Sequence, residues 1–129
     1  MDNIKKTILE YARDNLGTEP EKPWRKYPGY IVLRHDNNKK WYAVIMTVDK
    51  DKLGIKGDGT AEIINVKCDP VMVDSLQKND GYFPAYHMNK SHWVSIILDG
   101  TVPKDEILNF VSISFDITAK KYPKSKKER

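Results

Sequence analysis

One cysteine, three histidines and no long apolar run already exclude several chemistries for this 129-residue chain. With Cys68 alone, no intrachain disulfide can form. A reducing, cytoplasmic setting is expected, with Cys68 a small buried hydrophobe rather than a reactive thiol. No stretch approaches the roughly 20 apolar residues that span a bilayer, so no membrane partner is expected. The start, Met1-Asp2-Asn3-Ile4-Lys5-Lys6, lacks the apolar core of a secretory leader. Cys68, His35, His87 and His92 make neither C-x-x-C nor H-E-x-x-H, so no metal site is expected. No G-x-S-x-G is present, and Ser91 and His92, being adjacent, would point to opposite faces of a strand rather than form a triad with Asp99. Gly54-x-x-Gly57-x-Gly59 lacks the Walker Lys-Ser/Thr and has the wrong order for a dinucleotide fingerprint. It reads as a flexible loop, and no cofactor is expected.

What remains is an ordinary globular composition, 40% apolar and 31% charged, in a chain long enough for one domain with its own core. The net charge of +4 is unevenly placed. Residues 120–129 carry six basic groups against Glu128, which leaves the rest of the chain at −1. We therefore expect a single domain over residues 1–119 and a basic, disordered tail over 120–129.

Along the chain, Ile4, Ile8, Ala12 and Leu16, widened by Leu9, predict an amphipathic helix over 3–16, capped by Asp2 or Asn3 and stopped by Gly17. Thr18-Glu19-Pro20-Glu21-Lys22-Pro23-Trp24 is held extended by its prolines, with Trp24 as an anchor to the core. Residues 30–35 and 40–48 predict a hairpin about Asp36-Asn37-Asn38-Lys39. The second of these strands is apolar on both faces and so central. Residues 49–59 predict a loop and 61–68 a third strand. Asp69-Pro70 opens a short helix carrying Met72, Val73 and Leu76 inward. Residues 92–98 predict a fourth strand, closed by Asp99-Gly100. Pro103 opens the last helix, with Ile107, Phe110, Val111, Ser114 and Ile117 as its buried stripe and Lys120 and Lys121 in its last turn. The order α-β-β-β-α-β-α predicts an α+β fold, an antiparallel sheet with helices packed on one side.

The richest chemistry lies in Tyr82-Phe83-Pro84-Ala85-Tyr86-His87-Met88-Asn89-Lys90-Ser91-His92-Trp93, an aromatic, polar loop running into a strand. Loops on a rigid scaffold commonly carry binding groups. The candidate site is Tyr86, His87, Asn89, Lys90, His92 and Trp93. Aromatics interleaved with cations can stack on bases while contacting phosphate. The same residues can instead be lid aromatics, with Asn89 stabilising its own turn.

The run Tyr86-His87-Met88-Asn89-Lys90-Ser91-His92-Trp93, followed by Leu98-Asp99-Gly100-Thr101-Val102-Pro103, resembles the hallmark of the MmcQ/YjbR family. That hallmark is an Asn-Lys-x-His-Trp strand entry, a short turn, and a Pro-led helix ending near Ser-Tyr. Ser114-Phe115 stands at the Ser-Tyr position, so a tyrosine hydroxyl is missing there. Gly17-Thr18-Glu19, Pro23-Trp24, Lys40-Trp41-Tyr42-Ala43 and Val66-Lys67-Cys68-Asp69-Pro70 also fit, and the resemblance spans residues 3–119. It implies a CyaY-like α+β fold, shared with frataxin-like proteins, and a bacterial cytoplasmic protein that binds DNA through a double-wing arrangement, in a family where many members are of unknown function. Fold likeness does not carry function with it. The first helix sets Lys5, Lys6 and Arg13 against Glu10 and Asp14, not the acidic face that iron binding would want.

Three expectations follow. The first is a non-enzymatic, monomeric module that binds DNA weakly, with Lys90 and the tail on phosphate and Asn89, His92 and an aromatic on bases or sugars. The near-neutral body argues against this, since phosphate neutralisation supplies most non-specific affinity; a local patch of Lys90, Lys39, Lys40, Arg34 and the tail would have to supply it. The second is a small-ligand or protein-interaction domain with a pocket of Tyr86, Asn89, His92 and Trp93. The third is an enzyme using His92 beside Lys90 for acid–base work.

Overall fold

The computed structural model describes residues 3–27 and 29–119; the basic tail, and the helix end expected at Lys120 and Lys121, lie outside them. Helix α1 (Ile4–Leu16) starts where Asn3 Oδ1 accepts the Lys6 N–H at 3.0 Å and stops at Gly17, whose φ of 63° lets the chain turn back. The Thr18 N–H then closes the end on the Ala12 carbonyl at 2.9 Å.

Strands β1 (Ile31–Arg34), β2 (Trp41–Asp49), β3 (Thr60–Lys67), β4 (Tyr82–Pro84) and β5 (Trp93–Ile97) form one antiparallel sheet in the order β1-β2-β3-β5-β4. Helices α2 (Pro70–Leu76) and α3 (Lys104–Thr118) complete the fold. The α+β expectation, with helices on one side, is met. Two elements were not expected. Lys50–Leu53 makes a single 3-10 turn inside the predicted loop. Tyr82–Pro84, at the head of the aromatic stretch, is an edge strand. Proline is tolerated at such an edge because no further strand needs its missing N–H.

The sheet has two unlike faces. Ile31, Leu33, Ala43, Ile45, Ile64, Val66, Val94 and Ile96 meet Ile8 and Ala12 of α1, Val73 and Leu76 of α2, and Ile107, Phe110 and Val111 of α3 in the main core. Met72 and Ile117, expected inward, are 39% and 40% exposed. On α3 the inward position is taken by Thr118, four residues after Ser114, which keeps the stripe on one side of the helix. The opposite face carries Val32, Val44, Met46, Val48 and Ile63, covered by Trp24, Tyr30, Trp41, Leu53 and Tyr86.

A bulge decides which face two large aromatics take. Leu33 pairs with Ala43 but Arg34 pairs with Trp41, so Tyr42 is the extra residue in β2. Strict alternation would place Tyr42 with Val44 and Met46. Instead Tyr42 enters the helix-side core, fully buried, and donates its hydroxyl to Thr18 Oγ1 at 2.5 Å. Burial pushes the Tyr42 phenol up to about 12. Trp41 is thereby left on the other face.

Helix α3 is fastened to the sheet by polar groups. Ser114 Oγ donates to the Tyr42 carbonyl at 2.5 Å and accepts the Lys67 N–H at 2.8 Å. Phe115, beside it, packs on His35 with ring centres 4.3 Å apart. His35 Nε2 lies 3.0 Å from the Phe115 carbonyl and 2.9 Å from Thr118 Oγ1. Burial holds the His35 pKa below its ordinary value. Cys68 is buried, as expected, and burial pushes its thiol up to about 11.

Candidate functional site

The loop between β4 and β5 is tied to the face of the sheet away from the helices. Asn65 on β3 and Ser95 on β5 are cross-strand neighbours, both fully buried, and Ser95 Oγ donates to Asn65 Oδ1. This pair holds both backbone groups of Tyr86. The Tyr86 N–H donates to Ser95 Oγ at 3.0 Å, and Asn65 Nδ2 donates to the Tyr86 carbonyl at 3.1 Å. Two fully buried polar side chains of the sheet thus fix one loop residue.

The loop then closes on itself. Lys90 Nζ donates to the Ala85 carbonyl at 2.8 Å. Asn89 Oδ1 accepts the Ser91 N–H at 2.8 Å, and the Asn89 carbonyl accepts the N–H groups of His92 at 3.2 Å and Trp93 at 3.0 Å. Asn89 is therefore a turn residue by its own hydrogen bonds. His92 is exposed while Trp93 is 8% exposed, the opposite orientations expected of neighbours at a strand entry. His87 has φ of 60°, a left-handed backbone uncommon outside glycine, which histidine adopts more readily than most side chains. It is exposed, and its ring centre lies 4.0 Å from that of Tyr86.

Of the six residues singled out in the sequence, only Tyr86 and His87 sit with the aromatic cluster on this face. Asn89, Lys90 and His92 face solvent along the loop, and Trp93 is buried in β5 opposite Lys67. What His87 joins is a cleft of about 280 Å³, lined with Trp24, Tyr27, Tyr30, Trp41, Met46 and Met88. Met46, 5% exposed, is its floor.

The walls come from the proline-rich connection before β1. Glu21 pairs by backbone with Val32, its N–H 3.0 Å from the Val32 carbonyl and its carbonyl accepting the Val32 N–H at 2.8 Å. The chain then turns twice, Tyr27 N–H to Trp24 carbonyl at 3.1 Å and Tyr30 N–H to Tyr27 carbonyl at 3.0 Å. These turns set Trp24 edge-on to both Tyr30 (6.1 Å, 87°) and Trp41 (5.7 Å, 79°), and stack Tyr27 on Tyr30 (5.0 Å, 23°). Burial, with the neighbouring phenols of Tyr86 and Tyr27 and the Asp49 carboxylate, raises the Tyr30 pKa. Tyr30 therefore stays a neutral phenol at pH 7.

In the sequence Trp24 reads as a core anchor, while Tyr27, Tyr30 and Trp41 do not stand out as a group. The signal was the spacing Trp24-x-x-Tyr27-x-x-Tyr30, three rings at every third residue across a segment too proline-rich for a helix. Such a segment must lay its rings on some other surface.

Among the described residues no group of three or more His, Cys, Asp or Glu could hold a metal ion, and no helix is long and apolar enough to cross a membrane.

Comparison with known proteins places this architecture in a family. Residues 15–117 match the family described as YjbR. The chain is 45% identical over 114 residues to the Bacillus subtilis (strain 168) protein YyaQ, described as uncharacterized, covering 88% of this chain and 97% of that one. A crystal structure of a Pseudomonas syringae protein is 40% identical and superposes with a TM-score of 0.87, covering 92% of this chain and 100% of that one. The Deinococcus radiodurans protein DR2400, at 22% identity, shares the fold with a TM-score of 0.65 over 96% of this chain and 83% of that one. The chain belongs to the YjbR family.

Proposed function

We propose that this protein is a non-enzymatic, cytoplasmic binding module whose site is the aromatic cleft on the open face of the sheet, taking a small ligand with a flat ring system. One observation carries the reading: four rings, Trp24, Tyr27, Tyr30 and Trp41, surround a cleft of about 280 Å³ with Met46 at its floor. Aromatic walls around a concave site, with few polar groups, are the usual make-up of a small-molecule pocket. The cleft lies just under the roughly 300 Å³ where drug-sized pockets begin, so it suits one ring system rather than an extended ligand. Catalysis finds less support. His92 and Lys90 are exposed, and Lys90 is engaged with its own loop at the Ala85 carbonyl.

The test uses the three tryptophans as reporters. Titration of the nitrogen-15-labelled chain with 2-naphthol should shift the indole N–H signals of Trp24 and Trp41 and leave Trp93 unmoved. Trp24→Ala should remove the shift at Trp41. Three unmoved indoles would sink the cleft as a site.

A second reading, a double-wing DNA-binding module, is favoured by a different observation: His87, Asn89, Lys90 and His92 are all exposed within the β4–β5 loop. In that reading a duplex contacts the loop, not the cleft. Labelled duplex DNA titrated at low and physiological salt should then lose affinity in the Asn89→Ala/Lys90→Ala variant and keep it in Trp24→Ala. Unchanged affinity in the loop variant would remove this assignment.

A further inference from the structure

We infer that the cleft binds a nucleotide, its base between the aromatic walls and its phosphate on Arg25 and Lys26. This rests on the cleft being a ligand site, and it adds the chemical class of the ligand.

The turn that builds the wall has Trp24 and Tyr27 at its ends and Arg25 and Lys26 at its tip. Both tip residues are exposed, and Lys26 Nζ stands 6.0 Å from the centre of the Tyr27 ring. A third cation, Lys22, is exposed just before Pro23 and Trp24. Among the described residues none of the three forms an ion pair, whereas Glu21 is taken by Arg34 at 2.7 Å and Asp36 by Lys39 at 3.7 Å. The site therefore offers ring faces and edges inside, with exposed cations on the turn between its Trp24 and Tyr27 walls.

A simple apolar ligand would leave that charge unused, and a simple anion would leave the rings unused. A nucleotide uses both. Bases stack on aromatic side chains whatever their identity, because every base has a π-face, while cations follow the phosphate. Arg25 can grip a phosphate with two parallel N–H groups. A base in a duplex has its faces covered by its neighbours, so the occupant is an unpaired base. Two sources share this chemistry: a free nucleotide and a nucleotide within a single strand.

The experiment compares four probes by the shifts of the Trp24 and Trp41 indole signals: adenosine, adenosine 5′-monophosphate, a six-residue oligothymidylate, and a longer, stably paired duplex. The monophosphate should bind about tenfold more tightly than adenosine, equivalent to about 1.4 kcal/mol. That gap should close in Arg25→Ala/Lys26→Ala, whose changes are confined to exposed turn residues. The duplex should move neither signal. An oligothymidylate that binds more tightly than the monophosphate, with a log–log salt slope steepening by about 0.7 per added phosphate contact, identifies a single strand as the source. Equal affinities identify the free nucleotide.

Two results would overturn the inference. If 2-naphthol moves Trp24 while adenosine and its monophosphate bind equally, the cleft stands as a site but the nucleotide assignment fails. If no probe binds and Trp24→Ala lowers the sedimenting mass, the cleft is an interface between two copies of this chain, and both readings fall. Trp24→Phe, which keeps a ring, separates loss of stacking from loss of fold: it should retain most of the affinity that Trp24→Ala loses.

Discussion

The two faces of the sheet are built from the same strands but do different work. The helix side is closed by three helices over aliphatic side chains, and its polar groups are spent on fastening, as with Ser114 between the Tyr42 carbonyl and the Lys67 N–H. The open side is closed without an α-helix, and its cover is mostly aromatic: Trp24, Tyr30 and Tyr86 from loops and Trp41 from β2, with Leu53 of the 3-10 turn. Helices bury aliphatic residues in close-packed layers that leave little room. Irregular segments carrying flat rings pack edge to face and leave a gap, here about 280 Å³. The close-packed aliphatic core lies on one side of the sheet and the aromatic cleft on the other.

Substitutions can break or sharpen that contrast. The largest effect is expected on the helix side, where Ile64 is fully buried in the main core. Ile64→Ala should cost about 2–5 kcal/mol in denaturant unfolding through lost contacts and the cavity left behind. A cost below 1 kcal/mol would mean the core is not organised as described.

On the open side the informative effect should come from a polar residue. Asn65→Ala leaves the Tyr86 carbonyl without its partner and breaks the link to Ser95. We expect a loss of about 1–3 kcal/mol, together with faster amide exchange across residues 85–92. Lost stability with unchanged loop exchange would show that the pair does not hold the loop.

His87 should respond with the opposite sign. Its φ of 60° suits glycine, so His87→Gly should raise stability by about 1 kcal/mol while removing one wall of the cleft and weakening 2-naphthol binding. A drop in stability would show that the ring contact with Tyr86 outweighs the backbone strain.

The smallest effect is the pH response of His35. Burial lowers its folded pKa below the unfolded value of 6.5. The unfolded chain therefore takes up a proton first as pH falls, and its contribution to stability is full above about 6.5 and declines below it. The melting temperature should fall between pH 7.5 and 5.5, and His35→Gln should flatten the fall. A profile of equal slope in that variant would assign the response to other groups.

Much of this fold was legible because local chemistry and burial agree. Asn3 and Gly17 bound α1 as caps do, Asp69 caps α2 by accepting the Met72 N–H at 3.0 Å, and period-two alternation in β3 holds. Gly81, in the connection between α2 and β4, has a reason only the fold supplies. Its φ is 92° and a Cβ there would lie 2.5 Å from Val102 Cγ2, so the chain entering β4 passes too close to the next connection for any side chain. The edge strand Tyr82–Pro84 was missed because three residues carry no readable period and a proline argues against a strand until an edge is known.

The candidate site was legible in part. The stretch 82–93 did mark a loop held to the sheet, yet most of its polarity is consumed in holding that loop: Asn89 and Lys90 bond to backbone a few residues away. A sequence lists donors and acceptors without saying whether their partners are ligand or neighbour. The ring spacing Trp24-x-x-Tyr27-x-x-Tyr30 was present too, but its destination was not.

By itself the sequence determined the helices, the hairpin, the α+β class and the family resemblance, since caps, periodicity and short motifs are local properties of the chain. Tertiary structure alone decided the cleft. It depends on the extra residue at Tyr42, which reverses the faces of Tyr42 and Trp41, and on the Glu21–Val32 pairing, which carries Trp24 across the sheet. Both are pairings between strands or segments, and a register shift of one residue moves every ring that follows it to the other face.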